Sequence, residues 1–210
     1  MCALILIVPA CSKAAPDMPP ATAAVPAPAP AAVGTSRVVG KVLQPSGTVV
    51  VMLEPKRATT FAPLAEEPVM DQVGLTFGPE FLFVRTGEPV EFRNDDDTLH
   101  NVHVTHEETR EPQFNVAIPT GGAYPFTFKR DGFYRVGCDI HPAMSATIFA
   151  ASTPYVSLAD GSGGFEFDGV ATGSYAATIY SGGKRSQKDI DVKDAVTNVT
   201  IDTADGQPVK

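Results

Sequence analysis

The chain is short of several things, and each shortage excludes a class of protein. It has three cysteines, four histidines, and 16 basic residues against 24 acidic ones. No apolar run reaches the roughly 20 residues that a membrane-spanning helix needs. The formal charge of -8 argues against nucleic acid or an anionic lipid surface as the main partner, because both reward Lys and Arg. A neutral or weakly basic partner suits the chain better. Cys2 and Cys11 lie in the N-terminal apolar stretch, which leaves Cys138 as the thiol of the body. If the leader is cleaved and Cys11 is acylated, the mature chain has no pair from which to form a disulfide. Cys138 is then free for a metal. Convincing helical periodicity is missing too. Proline crowds ahead of residue 35, while glycine punctuates the body at turn-like intervals, as expected for many short strands.

The first residues, MCALILIVPAC, place a small residue, Ala10, after an apolar run and just before Cys11. This resembles a bacterial lipoprotein signal, with residues 1–10 as the leader and Cys11 as the lipidated residue. The expected location is the periplasm or cell surface, with the membrane touched only through an N-terminal lipid anchor. Residues 11–34 are an Ala/Pro-rich linker, extended and semi-rigid, that would hold a globular body away from the membrane.

From Met70 onward, apolar residues alternate at Leu75 and Phe77, Phe81 and Phe83, Val90 and Phe92, and Tyr124, Phe126 and Phe128. TGEP, NDDD, PTGG and KRDG break the pattern. A period of two interrupted by turn residues predicts half-buried antiparallel strands, so the fold class is all-β. After Phe149 glycine recurs every few residues, and no His, Cys or Met follows. That region reads as a second small β-sandwich without visible chemistry.

The chemistry gathers in CDIHPAM, where Cys138, His141 and Met144 fall within one short loop and Pro142 stiffens it. Thiolate, imidazole and a weak thioether together suit a metal that cycles between Cu(I) and Cu(II). Zinc fits less well, since structural zinc takes four N or S ligands and Met is a poor one. The remaining ligand must come from another strand. His100 in LHNVHV is the best candidate: His103 would point to the opposite strand face, and His106 lies roughly 20 Å further along an extended strand. His103 and His106 are read as solvated surface residues. One body cysteine and four histidines exclude a binuclear copper centre and a multicopper oxidase, so a single copper ion is the expected cofactor. Asp95, Asp96 and Asp97 form an acidic turn, either merely solvated or steering a basic redox partner.

These motifs carry a family resemblance. HNVH followed by CDIHPAM resembles the cupredoxins, the blue type 1 copper proteins of the amicyanin and plastocyanin kind, and the short ligand loop is closest to amicyanin. FGPEFLFVRTGEPVEFRNDD is similar to methylamine-utilisation-type cupredoxin-like proteins at Phe77, Pro79, Leu82, Val84, Gly87, Val90, Phe92, Asn94 and Asp96. The resemblance implies a Greek-key β-sandwich over residues 66–151. It also implies His100, Cys138 and His141 as trigonal ligands, Met144 as a long axial ligand, and Asn101 fixing the ligand loop by hydrogen bonding.

A second resemblance, to the carboxypeptidase regulatory-like, transthyretin-like sandwich, rests on Val39, Gly40, Val42, Asp160, Gly164, Phe165, Phe167, Val170, Gly173 and Tyr175. It implies that residues 36–54 join 152–205 in one discontinuous sandwich, with the copper domain inserted. The alternative is that 36–54 supply the first strands of the copper domain. The expected function is that of a one-electron carrier with a redox protein partner, a cytochrome or dehydrogenase. With no open coordination position and no partnering acid and base, the site suits electron passage rather than catalysis. The alternatives are copper storage or delivery without redox turnover, and a scaffold whose copper loop is a relic.

Overall fold

The computed structural model describes residues 34–209. The expected leader, Cys11 and nearly all of the linker lie outside them. All regular structure among the described residues is strand: β1 (Thr35–Leu43), β2 (Val50–Pro55), β3 (Val69–Val73), β4 (Thr76–Gly78), β5 (Phe81–Arg85), β6 (Pro89–Asn94), β7 (His100–His106), β8 (Pro112–Ile118), β9 (Ala123–Thr127), β10 (Gly132–Gly137), β11 (Ser145–Ala151), β12 (Val156–Leu158), β13 (Gly164–Ala171), β14 (Gly173–Ser181), β15 (Lys184–Val192), β16 (Val196–Asp202) and β17 (Gln207–Pro208).

The strands form four sheets. Two come from the middle of the chain, in the orders β4-β3-β6-β9 and β5-β11-β10-β7-β8. Their facing sides enclose Met70, Phe77, Val90, Phe92, Val102, Val104, Phe128, Tyr134, Val136 and Ile148. These residues come from the alternating segments, each strand offering every second side chain to this core.

The other two sheets, β13-β1-β16 and β12-β2-β14-β15-β17, combine the two ends of the described chain. β1 runs antiparallel to β13 and parallel to β16, and β2 pairs with β12 and β14. Residues 35–55 thus pair with 156–202 and not with the strands between. Gly40 shows why a glycine stands on β1: the Phe165 ring lies directly over it, where a Cβ would come within 2.1 Å of the ring. Asp160 organises the turn before β13. Its Oδ1 accepts hydrogen bonds from the Ser162 and Gly164 N–H groups and from the Ser162 hydroxyl, each at 2.8 Å. These bonds hold its carboxyl below the usual carboxylate range.

β2 is buried on both faces. Val51 and Leu53 face the sandwich formed with β1, β13, β14 and β16. Val50 and Met52 face the other way, onto Phe149 and Ala151 of β11, with Phe81, Phe83, Phe133 and Tyr180 packed around them. Phe133 and Phe149 meet edge-on at 4.7 Å between ring centroids, and Tyr180 lies 5.4 and 5.3 Å from them. Pairs of this geometry add about 0.5–1.5 kcal/mol each beyond the area they bury. The β2 sheet therefore seats on the outer face of the β11 sheet through an aromatic seam. Phe61, on the segment crossing from β2 to β3, packs on Tyr155 from one side and under the Arg85 guanidinium from the other.

Candidate metal centre

β7 and β10 run antiparallel, with Gly137 opposite His103. The start of β7 therefore stands beside the end of β10, and the loop leaving β10 carries Cys138 and His141 towards His100. The loop closes on itself, since Met144 N–H donates to His141 O at 2.9 Å and Cys138 N–H to Met144 O at 3.4 Å. His100, Cys138 and Met144 are buried, and His141 is half-buried.

The structure brings three of the four expected ligands into one cluster. His100 Nδ1 and His141 Nδ1 are 2.9 Å apart, and Cys138 Sγ lies 3.9 and 3.8 Å from them. A point equidistant from these three atoms sits about 2.1 Å from each, within the range of first-row metal bonds to imidazole nitrogen and thiolate sulfur, ~2.0–2.3 Å. Met144 is buried directly after them in the loop, in the same core cluster as Cys138. The residues present fit a copper ion: two imidazoles, a thiolate and a nearby thioether are the donor set of blue-copper sites.

The far side of the His100 ring is held by a carboxylate. His100 Nε2 lies 2.8 Å from Asp96 Oδ2. With the Nε2 hydrogen donated to that carboxylate, Nδ1 keeps its lone pair for a metal. Asp96 also accepts the N–H groups of Gly74 at 2.6 Å and Leu75 at 2.9 Å. These two residues, at φ of 60° and 58°, form the tight turn between β3 and β4. The Leu75 and Gly74 N–H groups, and then His100, hold the Asp96 carboxyl below its ordinary range.

Two expectations need correction. Within the acidic turn Asp96 is not a freely solvated carboxylate, because its side chain is 13% exposed and bonded to Gly74, Leu75 and His100, while Asp95 and Asp97 are exposed. His106 is not a surface residue: it is 1% exposed, and its ring stands edge-on to Tyr134 at 4.8 Å. Its Nδ1 accepts the Thr109 N–H at 3.2 Å, closing the turn after β7. Residues 100, 102, 104 and 106 share the inner face, so strand parity carried the signal that residue type obscured.

Asn101 lies on the opposite face of β7 from His100. Its Oδ1 accepts the N–H groups of Asp139 at 2.7 Å and Ile140 at 3.3 Å, and stands 3.3 Å from Cys138 Sγ. His103 is also on that face, 3.1 Å from Asp139 Oδ1. Sequence reasoning passed over Asp139 and Asn115, two polar residues without a distinguishing pattern. The Asn115, His103 and Asn101 side chains together lower the Asp139 carboxyl below its usual range.

A buried cluster of metal-binding side chains at one end of two packed, mixed sheets, with its sulfur donors on one loop, defines a copper-binding β-sandwich. Residues 66–150 match the family of copper binding proteins described as plastocyanin/azurin, and this part of the chain is a cupredoxin domain that binds copper. Solved structures similar to the chain include a reduced amicyanin variant, at 22% identity over 48% of this chain and 99% of that one, TM-score 0.38. A purple cupredoxin from Nitrosopumilus maritimus is 21% identical over 40% of this chain and all of that one, TM-score 0.36. A copper-containing nitrite reductase from Thermus scotoductus SA-01 is 27% identical over 48% of this chain but only 26% of that one, TM-score 0.39. No curated protein sequence matches significantly.

Proposed function

We propose that the protein is an exported, lipid-anchored one-electron carrier, in which His100, Cys138, His141 and Met144 are the residues that would hold copper. The observation that carries this reading is the closed, buried ligand cluster in which His141 alone is half-exposed. A copper ion held there would supply one-electron redox chemistry. The chain's own residues orient the His100 ring with Nδ1 towards the cluster, bury the Cys138 sulfur away from water, and leave the His141 edge near the surface. Leu75, Leu99 and Ile140, each about half exposed, belong to the turns carrying the site. They give a redox protein partner such as a cytochrome or dehydrogenase an apolar surface from which to approach the His141 edge.

Titration of the metal-free protein with Cu(II) tests the reading. The expected result is one equivalent bound with an intense visible thiolate charge-transfer band, absent in Cys138→Ser. Colourless protein retaining zinc would overturn it. Rapid electron exchange without copper loss to a chelator distinguishes a carrier from a storage or delivery protein. Anchoring at Cys11, and with it placement in the periplasm or at the cell surface, is tested by palmitate labelling that should vanish in Cys11→Ser. For the remaining strands we adopt a discontinuous carboxypeptidase regulatory-like sandwich, residues 36–54 with 152–205. The pairing of β1 and β2 with β12, β13, β14 and β16 supports this division.

A further inference from the structure

We infer that His103, Asn115 and Asp139 form a clasp that holds the ligand loop in its metal-binding shape, acting on the copper ligands through Asn101. The inference rests on the copper-site reading above and extends it to three residues that touch no metal.

Three strands assemble the clasp. Asn101 and His103 project from the outer face of β7, and Asn115 of β8 stands directly across from His103. β10 ends at Gly137, also opposite His103, and the chain continues through Cys138 to Asp139. The Asp139 carboxylate is the hub. Its Oδ1 faces His103 Nδ1 at 3.1 Å, and its Oδ2 accepts from Asn115 Nδ2 at 2.7 Å and from Asn101 Nδ2 at 3.1 Å. The Asn101 amide nitrogen donates to Asn115 Oδ1 as well, at 2.8 Å. Both of its hydrogens are then used.

This arrangement fixes which way the Asn101 amide points. With its nitrogen held by Asp139 and Asn115, its oxygen must face the Asp139 and Ile140 N–H groups and Cys138 Sγ. A flipped amide would set its NH2 against two N–H donors and its oxygen against a carboxylate. The carboxylate therefore selects the orientation, and the orientation holds the backbone between two ligands, Cys138 and His141. Each bond to the half-exposed His103 and exposed Asp139 is weak alone. Joined in one network they restrain the loop before any metal arrives, which lowers the ordering cost of binding.

The test uses the full chain in two arms. The first is amide hydrogen exchange at residues 139 and 140 in the metal-free protein; the second is the ratio of Cu(I) to Cu(II) affinity, measured by chelator competition. In Asp139→Ala we expect exchange at these amides to quicken about tenfold and the affinity ratio to change by about tenfold, the scale of outer-sphere effects on metal sites. His103→Ala should move both in the same direction. His103→Gln, which retains a donor, should stay within about twofold of the parent. Thr105→Ala, the next outward position on β7, should change neither. Unchanged exchange in Asp139→Ala would overturn the clasp, and faster exchange with an unchanged ratio would leave a tether without influence on copper, overturning the positioning role. A parent protein with no thiolate band would defeat the copper-carrier reading instead, and the exchange arm would still decide whether the clasp restrains the loop.

Discussion

Asp96 and His100 share a 2.8 Å contact, and through it a metal ligand is tied to the turn between β3 and β4. The carboxylate holds the ring by one nitrogen and so frees the other. Replacing Asp96 with Ala removes that hold together with two turn bonds to Gly74 and Leu75. Copper affinity is expected to fall about 10- to 100-fold, as for other groups that orient ligand imidazoles. Competition against a chelator of known affinity measures it, and an unaltered affinity would show that His100 needs no such support.

Met144 is buried in the same core as Cys138. Met144→Leu preserves bulk and removes the thioether, so copper and colour should both remain. Loss of a sulfur donor that favours Cu(II) more than no donor at all should raise the reduction potential. Voltammetry of the two proteins gives the sign directly, and an unchanged potential would remove Met144 from the ligand set.

Gly40 carries the Phe165 ring on its bare Cα. Gly40→Ala should cost about 1–3 kcal/mol through overpacking, measured by chemical denaturation, with no effect on the copper spectrum. Loss of the spectrum instead would mean that the β1 layer shapes the metal site.

Gln72 is fully buried on β3, and neither side-chain polar atom has a protein partner. Substitution by Leu keeps the volume and removes the desolvated amide, and is expected to stabilise the protein by about 1–3 kcal/mol. A less stable variant would indicate that the amide finds partners which the buried geometry does not reveal.

Asp160 supplies the pH dependence. Hydrogen bonds from Ser162 and Gly164 depress its folded-state pKa. The carboxylate's contribution is therefore present above the unfolded value of about 3.9 and lost as pH falls through the lower folded value. Asp160→Ala should melt below the parent at neutral pH, and the gap should narrow as pH is lowered past about 4. A gap independent of pH would assign the effect to packing.

Much of the site could be read in the chain because three ligand types stand within one seven-residue loop, so no tertiary information was needed to associate them. Locating His100 needed only strand parity. The same parity placed His106 inside, yet a histidine at a strand end was assigned to water on residue type. Asp96 was obscured because a carboxylate in an acidic run looks solvated until the Gly74–Leu75 turn folds against it. Asp139 and Asn115 offered no signal, since their value comes from register across β7, β8 and β10. In β2 the run VVML was itself a sign of a strand covered on both faces, because a strand with one wet face alternates.

The aromatic seam around Phe133, Phe149 and Tyr180 has a geometric consequence. The chain begins its described course in β1, in the sheet beyond β2, and Phe133 stands five residues before Cys138 on the same strand run. The copper end lies roughly 16 Å along that run from the seam, at about 3.3 Å per residue. Rotation at the joint is opposed by interlocked rings and by the pinned crossing at Phe61. Among the described residues, the β1–β2 sandwich and the copper-bearing sheets are thus joined through one apolar seam, and the ligand loop stands at a set distance along β10 from that seam.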